Sequence, residues 1–218
     1  MSTIPDSDDL VAWVDVDWLN RRFTRTDLRS LAAGLSKRPP RGVLVASNRV
    51  LEAASLAEEG SIQVVCVLGY PFGASDIDVQ RYETEVAVDL GAQEFELVQS
   101  VGRWRDGDSA AMIRGWRDIV EAADERPVRL WADGEDFGLE EMRALAELVE
   151  GTGIQGMTVS CTWELLPMLG LIEALAEVLT GGKGIRIRRA GADLDDSAIR
   201  DCLSAGATGV VLTSTSSQ

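Results

Sequence analysis

Residues 62–99 read IQVVCVLGYPFGASDIDVQRYETEVAVDLGAQEFELVQ, and the fold is decided here. Ile62–Leu68 is an unbroken β-branched and apolar run bounded by turn residues, the pattern of a strand buried on both faces. Gly69 to Asp76 holds two glycines and a proline, which cannot continue a strand. Ile77–Leu90 has helical composition and stops at Gly91, where a helix C-terminus favours glycine. A second strand pattern follows at once, Glu94–Gln99. A strand, a helix and a strand joined by short connections give parallel strands with a right-handed crossover.

The same unit repeats in both directions. Further strands are expected at Trp13–Leu19, Gly42–Ala46, Val128–Ala132, Gly156–Ser160, Gly184–Arg188 and Gly209–Thr213. Helices are expected at Thr26–Ser36, Asn48–Glu59, Ser109–Ala123, Leu139–Glu150, Glu164–Leu179 and Asp195–Ala205. Thr26 and Asp195 stand where N-caps belong, and Gly91, Gly151 and Gly206 where C-terminal glycines belong. Eight strands and seven helices make an α/β protein, a (β/α)8 barrel whose final helix is short or absent. The competing open, doubly wound sheet calls for a glycine-rich turn after strand one. This chain has Asp17-Trp18-Leu19-Asn20 there. One domain over residues 1–218 is expected, with flexible ends at 1–10 and 214–218.

Composition excludes several functions. The 218 residues carry 36 acidic and 21 basic side chains, a net charge of −15. Such a surface repels phosphate backbones and anionic lipid, so neither nucleic acid nor membrane is an expected partner. There is no histidine, which removes His-activated nucleophiles and His-ligated metals. Cys66, Cys161 and Cys202 are far apart and form no CxxC pair, so no metal or cofactor is called for. The N-terminus lacks a signal-peptide pattern, and a cytoplasmic, soluble protein is expected. A homodimer is left open.

The motif Gly69-Tyr70-Pro71-Phe72-Gly73-Ala74, followed by Tyr82-Glu83, Ala87 and Gly91-Ala92-Gln93-Glu94-Phe95-Glu96-Leu97-Val98, resembles the deoxyribose-phosphate aldolase family. The likeness extends from Asp15, Leu19 and Thr24–Leu28 to Ala205-Gly206-Ala207-Thr208. It implies the same barrel. In that family a strand-six lysine forms a Schiff base with an aldehyde, and a strand-seven lysine lowers its pKa. Here the resemblance puts Thr158 in the first place and Arg188 in the second, with Glu96 for the family's strand-four aspartate. A hydroxyl forms no imine, and arginine keeps its proton. Lys37 and Lys183 fall in expected loops. The family's glycine-lined phosphate site keeps Gly191 but gains Ala192 and Asp193, so a phosphorylated substrate is not expected.

Barrel enzymes work at the C-terminal ends of their strands. Asp15, Asp17, Glu96, Asp133, Ser160, Cys161, Arg188 and Arg189 are expected there. Strand alternation places Glu94 with Glu96, and Arg186 with Arg188, on single faces. Two readings stay open for them: a buried structural ion network, or Glu96 as general base with Arg188 stabilising an oxyanion. Asp15, Asp17 and Thr158 complete the catalytic candidates. Trp18, Trp104 and Trp163 follow strands and are candidates for an aromatic wall. Together with Asp133, Ser160, Cys161, Arg186 and Gly191 they form the candidate substrate-binding set. The chemistry expected is a lyase-, isomerase- or cyclase-type reaction on a small non-phosphorylated, aromatic or apolar ligand in the barrel mouth. A catalytically silent relative that binds a metabolite or protein is the alternative, and an ordinary aldolase the third.

Overall fold

The structure, a computed structural model, describes residues 10–35, 39–57, 62–190 and 194–213. Eight parallel strands close into a barrel in sequence order: β1 (Val14–Asp17), β2 (Gly42–Ala46), β3 (Gln63–Leu68), β4 (Glu94–Val98), β5 (Val128–Asp133), β6 (Gly156–Cys161), β7 (Gly184–Arg189) and β8 (Gly209–Thr213). The ring closes between β8 and β1, with Val14 opposite Val210 and Asp17 opposite Thr213. Around it lie α1 (Arg25–Leu35), α2 (Val50–Ala57), α3 (Ile77–Asp89), α4 (Val101–Arg105), α5 (Ser109–Ala122), α6 (Leu139–Val149), α7 (Leu165–Val178) and α8 (Asp196–Ser204).

Alternation sorts the strand side chains into two cores. Outward residues such as Val64, Cys66, Phe95, Leu130, Met157, Val159, Ile185 and Ile187 join the helices in one large cluster. Inward residues Leu44, Val65, Val67, Val98, Trp131 and Val211 gather with Leu19 in a second cluster within the lumen.

Local chemistry sets the element ends. Asp195 caps α8 by accepting from the Ala198 N–H, and Asp76 and Asp108 cap α3 and α5 in the same way. The first helix starts one residue before the expected Thr26. Thr24 caps it, in a reciprocal exchange: its hydroxyl accepts from the Asp27 N–H, and Asp27 accepts from the Thr24 N–H at 2.6 Å. The β1 strand is shorter than Trp13–Leu19, because Leu10–Trp13 forms a 3-10 turn. The short α4, capped by Ser100, was not legible as a helix. In the β3–α3 loop, Gly69 and Gly73 have φ of +68° and +60°. A Cβ on Gly73 would run into the Val98 carbonyl. Glycine is therefore required where this loop crosses the end of β4. No helix among the described residues is long and apolar enough to cross a membrane.

Candidate active site in the barrel lumen and rim

Two charged assemblies occupy the lumen, separated by an aromatic layer. The lower one lies toward the N-terminal strand ends. Arg41, just before β2, donates to Asp15 at 2.6 Å, to Glu94 at 2.9 Å and to Gln63 at 2.7 Å. Arg186 on β7 reaches Glu94 at 2.6 Å, Glu96 at 3.0 Å and Asp15 at 3.4 Å. Arg129 on β5 is salt-bridged to Glu94. The Thr158 hydroxyl on β6 donates to Glu96 at 2.7 Å. Three guanidinium groups thus face three buried carboxylates, with Arg186 buried among them and Arg41 and Arg129 partly open to solvent.

Burial and charge compete at each member. Burial pushes the Glu94 carboxyl up, but Arg186, Arg129 and Arg41 outweigh it and hold it at about 2. At Glu96 burial wins: Arg186 and Arg129 offset only part of it, and the carboxyl titrates above the ordinary glutamate range. Its second oxygen, and Asp15 Oδ1, are buried with no hydrogen-bond partner among the described residues.

The upper assembly sits at the rim. Arg188 directs Nε and Nη2 to one oxygen of Asp17, at 2.7 and 2.6 Å, and Nη1 to the Ser160 hydroxyl at 3.1 Å. Its guanidinium carbon lies 5.6 Å from the Trp131 ring centroid, within cation–π range. Tyr70 meets Trp131 edge-on, with centroids 6.4 Å apart. Asp133, the last residue of β5, pairs in register with Ser160, which pairs with Arg188. Burial raises the half-buried Asp133 carboxyl above the usual range, against the Glu135 N–H that it accepts at 2.9 Å. An acid, a guanidinium, a hydroxyl and two aromatic rings therefore meet at one end of the barrel.

The fold and sequence have relatives. A deoxyribose-phosphate aldolase of Exiguobacterium sibiricum is 33% identical over 102 residues, 47% of this chain and 46% of that protein. That match spans about half of the relative's length. One of Thermosynechococcus vestitus is 28% identical over 157 residues, 71% of each chain. The solved structure of an aldolase designated QR15 superposes with a TM-score of 0.82 at 18% identity, over 94% of this chain and 91% of its own. No protein-family model matches. The chain is similar in sequence to deoxyribose-phosphate aldolases over part of its length, and shares the barrel of a solved aldolase. Thr158 on β6 faces the lumen, fully buried and bonded to Glu96.

Several sequence-derived assignments change with the geometry. Asp15 belongs to the lower network, not to the C-terminal rim, because it faces Arg41 and Arg186. The expected ion network of strands four and seven is present, with Glu96 bound to Arg186, while Arg188 is bound to Asp17 and so does not share a site with Glu96. Arg186 binds carboxylates and is no part of the rim. Cys161 faces outward into the helix-side core, and burial raises its thiol. The tryptophans do not wall the mouth. Trp18 alternates outward from Asp17 into the outer core. Trp104 packs edge-on against Phe137 and donates its indole N–H to Glu141 at 2.9 Å. Trp163 is half-buried against the outer core and lies over Gly134. Gly191, with Ala192 and Asp193, lies outside the described residues, as does Lys37. Asp17, Asp133, Ser160 and Arg188 do meet at the rim.

Four residues of the site were missed. Alternation back from Asp133 on β5 gives Trp131 and Arg129, so that signal was present. Tyr70 sits inside the loop motif. Arg41 precedes β2, and no periodicity marks its inward turn.

Proposed function

We propose that this aldolase relative acts at its rim, by electrostatic and acid–base chemistry without a Schiff base, on a small non-phosphorylated carbonyl or carboxylate compound with an aromatic or apolar body. The reaction class is lyase-type. The observation that carries this reading is the placement of Thr158, whose hydroxyl is spent on Glu96 inside a closed ion network. An imine needs an amine in the lumen. Lys183 precedes β7 at the opposite end of the barrel and is bound to Glu150 at 2.9 Å. Arg188 uses three N–H groups on Asp17 and Ser160. A guanidinium has five, so two remain for a ligand oxygen. Asp133, with its raised carboxyl, is the proton carrier at the same edge, and Trp131 with Tyr70 supplies the apolar contact.

The test is borohydride reduction in the presence of acetaldehyde or deoxyribose 5-phosphate, with intact-mass detection. No stoichiometric adduct is expected. An adduct mapping to one lysine overturns the reading and supports the third one, an active deoxyribose-phosphate aldolase, which the names of the curated relatives favour. A binding-only barrel is favoured by the sealed Glu96. It predicts ligand-dependent thermal shifts that Arg188→Met abolishes, with no turnover of any bound compound.

A further inference from the structure

The layer between the two charged assemblies is one side chain thick where Trp131 crosses it. On β4, the inward residues rise from Glu94 through Glu96 to Val98, and on β5 from Arg129 through Trp131 to Asp133. Register pairs Glu96 with Arg129 and, one level higher, Val98 with Trp131. Trp131 is also the Cα partner of Thr158 on β6. Its indole clusters with Val98 on the adjacent β4 and with Leu19, Leu44, Val65, Val67 and Val211, which come from β2, β3, β8 and the end of β1 across the lumen. Arg188 lies against it at 5.6 Å and Tyr70 stands edge-on at 6.4 Å. Beneath it, Glu96 and Thr158 are both 0% exposed. A ring that touches one wall and clusters with the opposite one is a partition. Indole is the largest side-chain ring system, and it is rigid apart from two χ angles.

We propose that Trp131 is the specificity-determining residue of this barrel: it seals the lumen holding Thr158 and Glu96, and confines any ligand to the shallow shelf beside Arg188. The inference rests on the rim reading above and goes beyond it by naming the residue that sets the depth of the site. Beneath the same residue, Glu96 Oε2 is buried with no hydrogen-bond partner among the described residues. Trp131 also fixes ligand shape. A compound on the shelf must lie across the indole face, oxygen toward Arg188, rather than thread down the barrel axis.

The experiment introduces a reporter amine below the partition. Thr158→Lys places it between Arg186 and the Glu96 carboxylate, the same surroundings in both variants compared, so a difference in trapping rate reads access past Trp131. Trapping of acetaldehyde by borohydride is timed by mass spectrometry in Thr158→Lys and in the double variant Trp131→Ala/Thr158→Lys. The double variant is expected to trap at least ten-fold faster. Added indole, which refills the space left by the ring, is expected to slow it back toward the single variant. Trp131→Leu replaces Trp131→Ala if the larger truncation does not fold. Equal trapping rates with and without Trp131, or no effect of indole on the double variant, overturn the proposal. An adduct on a natural lysine of the unaltered protein sinks the rim reading instead, so the two failures are distinguishable.

Discussion

Arg186 is the shared cation of three carboxylates, and its removal should be felt at all of them. Arg186→Met keeps the length and apolar stem of the side chain and deletes the charge. The guanidinium is 2% exposed and lies 2.6 Å from Glu94 and 3.0 Å from Glu96. Breaking a buried pair from one side costs about 3–5 kcal/mol, because the partner charge is left in a low dielectric. Against a total stability of about 5–15 kcal/mol, that is a large fraction. For a chain of this size about 1 kcal/mol moves Tm by roughly 2–4 °C, so a fall of roughly 6–20 °C is expected at pH 7. The pH dependence carries the reasoning further. In the native protein Glu94 is held at about 2, below its unfolded value of about 4.3. Its contribution is therefore complete above that unfolded value and is lost as pH falls toward 2. In the variant, burial acts on Glu94 and Glu96 with less opposition: Glu94 moves up from its lowered native value, and Glu96, already above the ordinary range, moves further up. Stability from a group raised above its unfolded value is present at low pH and is lost as pH rises through the folded value. The two stability curves should converge toward pH 5 and separate toward pH 8. Urea melts at pH 5, 6, 7 and 8 measure this. A deficit below about 1 kcal/mol at pH 7, or one constant across the series, refutes the account of the lumen as a charge-balanced network.

Three further outcomes follow from other contacts. Glu96→Gln keeps an acceptor for Thr158 and Arg186 at the same place, so a cost of about 1 kcal/mol is expected. Glu96 titrates above the ordinary range, so native stability declines as pH rises through its folded pKa, and the variant should lack that decline in urea melts. Gly73→Ala should destabilise by at least about 2 kcal/mol, since it combines positive φ with a clash against Val98. Gly107→Ala, at a φ of +75° but in open space, should cost only about 1 kcal/mol, and equal Tm values for the two would remove the clash argument.

The barrel was legible because its signal is redundant. Each β-branched run is bounded by punctuation, and Gly91, Gly151 and Gly206 all adopt the positive φ that a helix end uses. A miss such as α4 changes nothing global. The site was legible in part, because alternation states which face a residue takes but not the height at which it sits. Asp15 and Asp17 share a face, yet one belongs to the lower network and the other to the rim. The strand stagger of a closed barrel decides that, and the stagger is a property of pairing between distant strands. The tryptophans failed for a related reason. Trp18, Trp104 and Trp163 follow strands in the chain, but each turns to the helix layer, where a large ring buries more area. Trp131 lies inside a strand, surrounded by apolar residues, and looks like ordinary core until its face is assigned.

The even match of three arginines to three carboxylates in the lumen also gives the molecule a direction in time. A lineage that once held a lysine at position 158 could lose it in one step. A lineage that has since settled Arg186 and Arg129 around Glu96 regains an amine there in one step but not an efficient catalyst, because a protonated lysine would add a fourth cation to a closed count. Full return would need an arginine to leave as well, and an intermediate that lost the arginine first would carry an uncompensated carboxylate. Libraries meant to restore imine chemistry to this barrel should therefore vary positions 129, 158 and 186 together, with single-site scans at 158 serving only as the control.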